Sequence, residues 1–153
     1  KSTKFVHGGV SLQEMAVPII DFAYYRNSSV GYKQNKDKFD AKPVAIGCNF
    51  TGNTINNPVF SLSFYQKEPV ALNRLATNYK LYFTNIAGKP ICQPCVIVAD
   101  KASVNEQERI FKVHFSLHNQ PYDKKEKYYL IIEAADGSIY KQIEFTIDIA
   151  FDF

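Results

Sequence analysis

Tryptophan is absent from the sequence, methionine occurs once and cysteine three times. Three cysteines in a chain of this length are too few and too odd for a secreted disulfide framework, so the expected compartment is reducing and cytoplasmic. No apolar run approaches the roughly 18 residues that a membrane-spanning helix needs, so no membrane partner is expected. Lys1-Ser2-Thr3-Lys4 leads into a Gly8-Gly9 pair with no apolar region of the secretory kind. The sequence also starts without a methionine, as a piece of something larger would. Charge of one sign is scarce. Eighteen basic against 15 acidic residues leave a net charge of +3, which argues against a dedicated duplex-DNA binder. There is no G-x-S-x-G, Walker loop, H-E-x-x-H or G-x-G-x-x-G, and the acidic residues are scattered singly. No catalytic pair of carboxylates is nominated.

What remains is 153 residues, 46% hydrophobic and 22% charged. That is one ordinary domain with room for a real core. Ten tyrosines and 12 phenylalanines suit a pleated, half-buried surface. From Pro43 onward the apolar period is two. Phe60, Leu62 and Phe64 alternate with Ser61, Ser63 and Tyr65. Leu81 and Phe83 alternate with Lys80, Tyr82 and Thr84. Phe111, Val113, Phe115 and Leu117 alternate with Lys112, His114, Ser116 and His118. Ile143, Phe145, Ile147, Ile149 and Phe151 alternate with Glu144, Thr146, Asp148 and Asp152. This is strand periodicity with one face in and one out. Residues 44–49, 95–99 and 128–133 are further strands, and the last, apolar on both faces, is expected at the centre of a sheet. Asp136-Gly137 predicts a hairpin with a type I′ turn. Residues 73–76 could make one helical turn. The fold class is therefore all-β: an immunoglobulin-like β-sandwich of seven or eight strands over residues 43–153. Residues 21–42 read as a connector broken by Asn27-Ser28-Ser29 and Gly31.

Three constellations invite chemistry. Cys92-Gln93-Pro94-Cys95 is a C-x-x-C, but Val96-Ile97-Val98 makes the following segment a strand. Residues three apart in an extended chain lie roughly 10 Å apart and face opposite ways, too far for a disulfide. Structural thiols are the favoured reading over zinc or redox work. His114 and His118 share one strand face about 13 Å apart, too far for one metal. His7, before Gly8-Gly9, is a turn residue or a metal ligand, and one histidine is not a site. The lysines of residues 33–42 and 124–127 are a thin candidate for contacts with nucleic acid. Exposed Tyr24, Tyr25, Tyr65 and Tyr140 would serve a stand-alone binding module for protein or carbohydrate.

Residues 5–20, Phe-Val-His-Gly-Gly-Val-Ser-Leu-Gln-Glu-Met-Ala-Val-Pro-Ile-Ile, resemble the closing H-G-G-x-S-x-x-E-x-x-V-P motif of the PglZ family. That family lies within the alkaline-phosphatase superfamily. Residues 57–70, 127–133 and 143–151 resemble the C-terminal region of its type A members, which belong to the BREX bacteriophage-exclusion systems. The resemblance covers nearly the whole chain. It implies that residues 1–20 are the end of a truncated α/β phosphatase domain and that the sandwich is the C-terminal domain of a metal-dependent phosphatase or phosphodiesterase. It also implies His7 as a ligand of a divalent metal, usually zinc, in the intact parent only. The implied partners are the preceding phosphatase-like domain and other phage-exclusion proteins. A single imidazole cannot fix a metal or lower the pKa of its water, so the segment is expected to be a scaffolding or docking domain, inactive alone.

Overall fold

The computed structural model of the protein describes residues 24–150, so residues 1–20, with His7, lie outside the described residues. The chain divides between Lys36 and Asp37 into two compact units. In the first, Ser29 caps a five-residue helix, α1 (Val30–Gln34): its hydroxyl oxygen accepts from the Tyr32 N–H at 3.2 Å. The Asn35 side-chain amide closes the other end by donating to the Gly31 carbonyl at 3.1 Å. A second helical turn, α2 (Lys36–Phe39), follows, and all of it but Lys36 belongs to the second unit. The stretch that reads as a broken connector thus holds two short helical pieces, because a serine that interrupts a helix also starts one.

The second unit is built of strands, with helix scarce throughout. These are β1 (Lys42–Pro43), β2 (Ile46–Cys48), β3 (Thr54–Ile55), β4 (Val59–Gln66), β5 (Arg74–Leu75), β6 (Thr77–Thr84), β7 (Cys95–Ala99), β8 (Ile110–Ser116), β9 (Tyr128–Glu133) and β10 (Ile139–Ile147). One sheet has the order β3-β10-β9-β6-β7, another the order β2-β4-β8, and β1 pairs with β5 apart from both. The fold is all-β, as the alternation predicts. β9 is the middle strand of five, where its two apolar faces belong. The helical turn expected at residues 73–76 does not form. Arg74 and Leu75 instead pair in parallel with Lys42 and Pro43.

The two larger sheets face each other across one core. Phe83 of β6 lies at its centre. Its ring is 5.5 Å from Phe60 of β4, 5.1 Å from Phe115 of β8 and 5.2 Å from Phe145 of β10, each edge to face. Such geometry sets the positive ring edge against the negative face of its neighbour. Leu81, Leu130, Ile132 and Ile147 complete the inner row.

The hairpin at residues 134–138 forms, but with a different turn. Gly137 alone has positive φ, at +83°, whereas type I′ needs it at both central residues. Gly137 N–H bonds the Ala134 carbonyl at 2.9 Å, and Ala134 N–H bonds the Ser138 carbonyl at 2.8 Å. This is the three-residue loop with glycine in the left-handed position, and the Asp136 carboxylate secures it by accepting from Ser138 N–H and hydroxyl.

Two polar side chains pin the crossing from β7 to β8. Gln66, 1% exposed, continues the inward row of Phe60, Leu62 and Phe64. Its amide nitrogen donates to the carbonyls of Glu68 (2.6 Å) and Lys101 (2.7 Å), and its oxygen accepts from Lys101 N–H at 3.0 Å. Arg109, 5% exposed, donates to the carbonyls of Gln66 (3.1 Å), Ser103 (2.9 Å) and Lys67 (3.3 Å).

Two tyrosines close the outer edge of β2. Tyr79 donates to the Val44 carbonyl and Tyr140 to the Ile46 carbonyl, both at 2.8 Å, and their rings are 4.8 Å apart. Burial, and then the neighbouring Tyr140 phenol, push the Tyr79 hydroxyl up to about 12. Below pH 10, the ordinary phenol value, Tyr79 is neutral whether the chain is folded or unfolded and its contribution to stability is complete. Between about 10 and about 12 the unfolded chain gives up the proton while the folded one holds it, so stability falls across that window. The urea midpoint is expected to be level from about pH 8 to 9 and to fall from about pH 10, less steeply in Tyr79→Phe. A midpoint unchanged up to about pH 12 contradicts this.

Candidate functional site

Among the described residues the sheet order leaves two neighbouring strand edges without a partner strand. β7 ends the five-stranded sheet and β8 ends the three-stranded one. They meet at one end, where the Cys95 thiol donates to the His114 carbonyl at 3.2 Å. Beyond that contact they enclose a groove of about 470 Å³ whose apolar side is Val96, Val98, Ile110 and Phe111 and whose charged residues are Asp100, Lys101 and Lys112. Val96 is 60% and Val98 50% exposed. Lys101 Nζ lies 5.8 Å from the Phe111 ring centre. An apolar strand with one open edge is a template for a further strand, and sheets usually guard such an edge with charge, proline or a bulge. Pro94 precedes β7, but no charged residue lies within Cys-Val-Ile-Val-Ala.

The sequence candidates resolve differently. Cys48, Cys92 and Cys95 are free thiols. Burial raises all three above the ordinary thiol value, with Lys141 and Lys67 pulling Cys48 partly back. They are neutral near pH 7 and poor nucleophiles. Cys92 accepts a bond from Phe83 N–H at 3.2 Å inside the core, so C-x-x-C here is structural. His114 and His118 are both exposed. Among the described residues no three His, Cys, Asp or Glu side chains converge as a metal would require, and no catalytic step is assigned to them. The tyrosine platform is not assembled in the second unit. Tyr140 is committed to Ile46. Tyr65 covers the backbone at Gly47, where an added Cβ would come within 2.4 Å of its ring. Three of the basic candidates are paired with carboxylates: Lys42 with Asp37 at 2.7 Å, Lys124 with Asp148 at 2.6 Å and Lys127 with Glu144 at 3.1 Å.

No protein-family model matches the sequence. Over 149 residues, 95% of this chain, it is 36% identical to the alkaline phosphatase-like protein PglZ of Bacillus cereus (strain H3081.97). The chain is a relative of PglZ, as the motif of residues 5–20 and the later segments indicated. It is also 24% identical, over 97% of its length, to the alkaline phosphatase-like protein BrxZ of Escherichia coli O9:H4 (strain HS). The chain spans 17% of the length of either relative. Among solved structures it is similar to a superoxide reductase (neelaredoxin) from Ignicoccus hospitalis, at a TM-score of 0.41 and 11% identity, covering 78% of this chain and 89% of that one. The open edges of β7 and β8 were not visible in the sequence, since sheet order alone creates them.

Proposed function

We propose that this segment is a non-catalytic, immunoglobulin-like docking domain of a PglZ-type phosphatase-like protein acting in bacteriophage defence. The observation that carries the reading is the 36% identity over 95% of the chain to an alkaline phosphatase-like protein of which it matches 17%. Two structural features support the immunoglobulin-like assignment. Eight strands divide five to three between facing sheets. At the corner between β8 and β9, Tyr122 donates to the His118 carbonyl four residues back at 2.6 Å, and Tyr128 accepts from Asp123 N–H. A tyrosine bonded to upstream backbone at this corner is a recurrent device of such sandwiches.

The docking face is the β7 edge with Val96 and Val98, and its occupant is the phosphatase-like part of the same protein, the source of most of the length that this chain does not span. Backbone pairing at an open edge gives affinity, and alternate side chains give register. The test compares amide hydrogen exchange of this 153-residue chain with that of the full PglZ-type protein carrying it. Exchange at β7 is expected to slow at least about tenfold in the full protein, and Val96→Lys with Val98→Lys is expected to reverse that. Equal exchange at β7 in both forms rejects this docking face.

A further inference from the structure

Beside the Gln66–Arg109 pin lies a second cleft, of about 360 Å³, walled by Asn49, Tyr65, Lys67, Gln107, Arg109 and Ile110. Gln66 and Glu106 also border it. Its notable member is Arg109. A guanidinium that is 5% exposed normally has a carboxylate beside it, because desolvating an uncompensated charge is costly. Here its three bonds run to backbone carbonyls only. Those use one N–H on each nitrogen, and the group carries five. Two N–H groups are thus left without a protein acceptor among the described residues. Lys67 brings a second positive charge to the cleft and has no carboxylate partner there. The one acid on the rim, Glu106, is not within ion-pair distance of either cation. Tyr65 and Ile110, each 37% exposed, offer an apolar wall.

We propose that this cleft is a carboxylate-binding site that seats the side chain of a glutamate or aspartate from an acidic protein segment against Arg109. Planar carboxylate oxygens match the fork of a guanidinium better than any neutral group does. The methylene stem rests on Tyr65 and Ile110, and Lys67 and Asn49 complete the polar side. The cleft adjoins the β7–β8 groove only at Ile110, which borders both, and the proposal does not depend on the docking reading above.

The test uses the 153-residue chain, with propionate as the probe and propionamide as its neutral isostere. Nitrogen–proton correlation spectra follow the Arg109 Nε–H and the amides of Lys67, Gln107 and Ile110. Propionate is expected to move these signals saturably in the millimolar range, and rising salt to weaken the effect. Propionamide is expected to leave them unchanged. Gln107→Trp, whose exposed side chain fills the cleft without touching the Arg109 bonds, is expected to weaken the response at least about tenfold. Inaction of propionate at about 100 mM, an equal response to propionamide, or a response unaltered in Gln107→Trp overturns the proposal. Displacement of propionate by inorganic phosphate at lower concentration assigns the cleft to phosphate and overturns the carboxylate assignment.

Discussion

Phe83→Ala is expected to destabilise the sandwich by about 3–5 kcal/mol and to lower its melting temperature by roughly 15 °C. The ring is fully buried and meets three other rings drawn from both sheets. Its loss opens a cavity that no single neighbour can fill, because Phe60, Phe115 and Phe145 are each held by their own strand. A matched control is Val59→Ala on β4, where the side chain is 65% exposed and the expected change is within about 0.5 kcal/mol. Differential scanning calorimetry of the two variants decides the point. Similar shifts for both place the centre of the core elsewhere.

Gln66→Leu is expected to cost about 2–4 kcal/mol although it makes the inner row of β4 uniformly apolar. The side chain makes three bonds, to Glu68 and to both backbone groups of Lys101. Leucine takes the side-chain partner from the Glu68 carbonyl and the Lys101 N–H, while the Lys101 carbonyl keeps its bond from Val70 N–H, and the unmet hydrogen bonds outweigh the gain in apolar area. The damage is expected to be local. Amide exchange at Lys101 and Ser103 should accelerate far more than exchange in β9, since the crossing from β7 to β8 is tied down at that end by Gln66 and Arg109 alone among the long polar side chains described. Uniform acceleration across both sheets contradicts that picture.

The long strands were legible in the sequence because each buries one face, and alternation is the direct image of that burial. β8 follows it residue by residue, β6 follows it as far as Phe83, and β10 only from Ile143 onward, after a register shift between Ile139 and Lys141. The two-residue strands were not. Arg74 and Leu75 pair with Lys42 and Pro43 across more than thirty residues of chain, a tertiary event that leaves no period behind. The turn at residues 134–138 was legible as a hairpin but not in type. Asp-Gly fits both geometries, and only the pairing of Ala134 with Ser138 distinguishes them. The silence of Cys92 and Cys95 was readable from Val96-Ile97-Val98, which fixes an extended chain. Gln66 carried a usable signal, an amide at an inward position of an apolar row. Arg109 carried none. It follows Glu106-Gln107-Glu108, which looks solvated, and becomes buried only when that turn folds back on the end of β4. The groove between β7 and β8 was equally hidden, because an unpaired edge is a property of strand order rather than of any strand.

The pairing of β10 has a consequence for synthesis. β10 (Ile139–Ile147) lies between β9 and β3, and the short β3 has no other neighbour in its sheet. The residues that complete the larger sheet are therefore among the last this sequence supplies. A nascent chain that has emerged only as far as β9 exposes an open central edge, and its β3 segment has nothing to pair with. Sheet closure must wait until the ribosome has released residues up to about 147. Until then the apolar faces of β6 and β9 depend on the speed of translation, or on a chaperone, to stay out of intermolecular contacts.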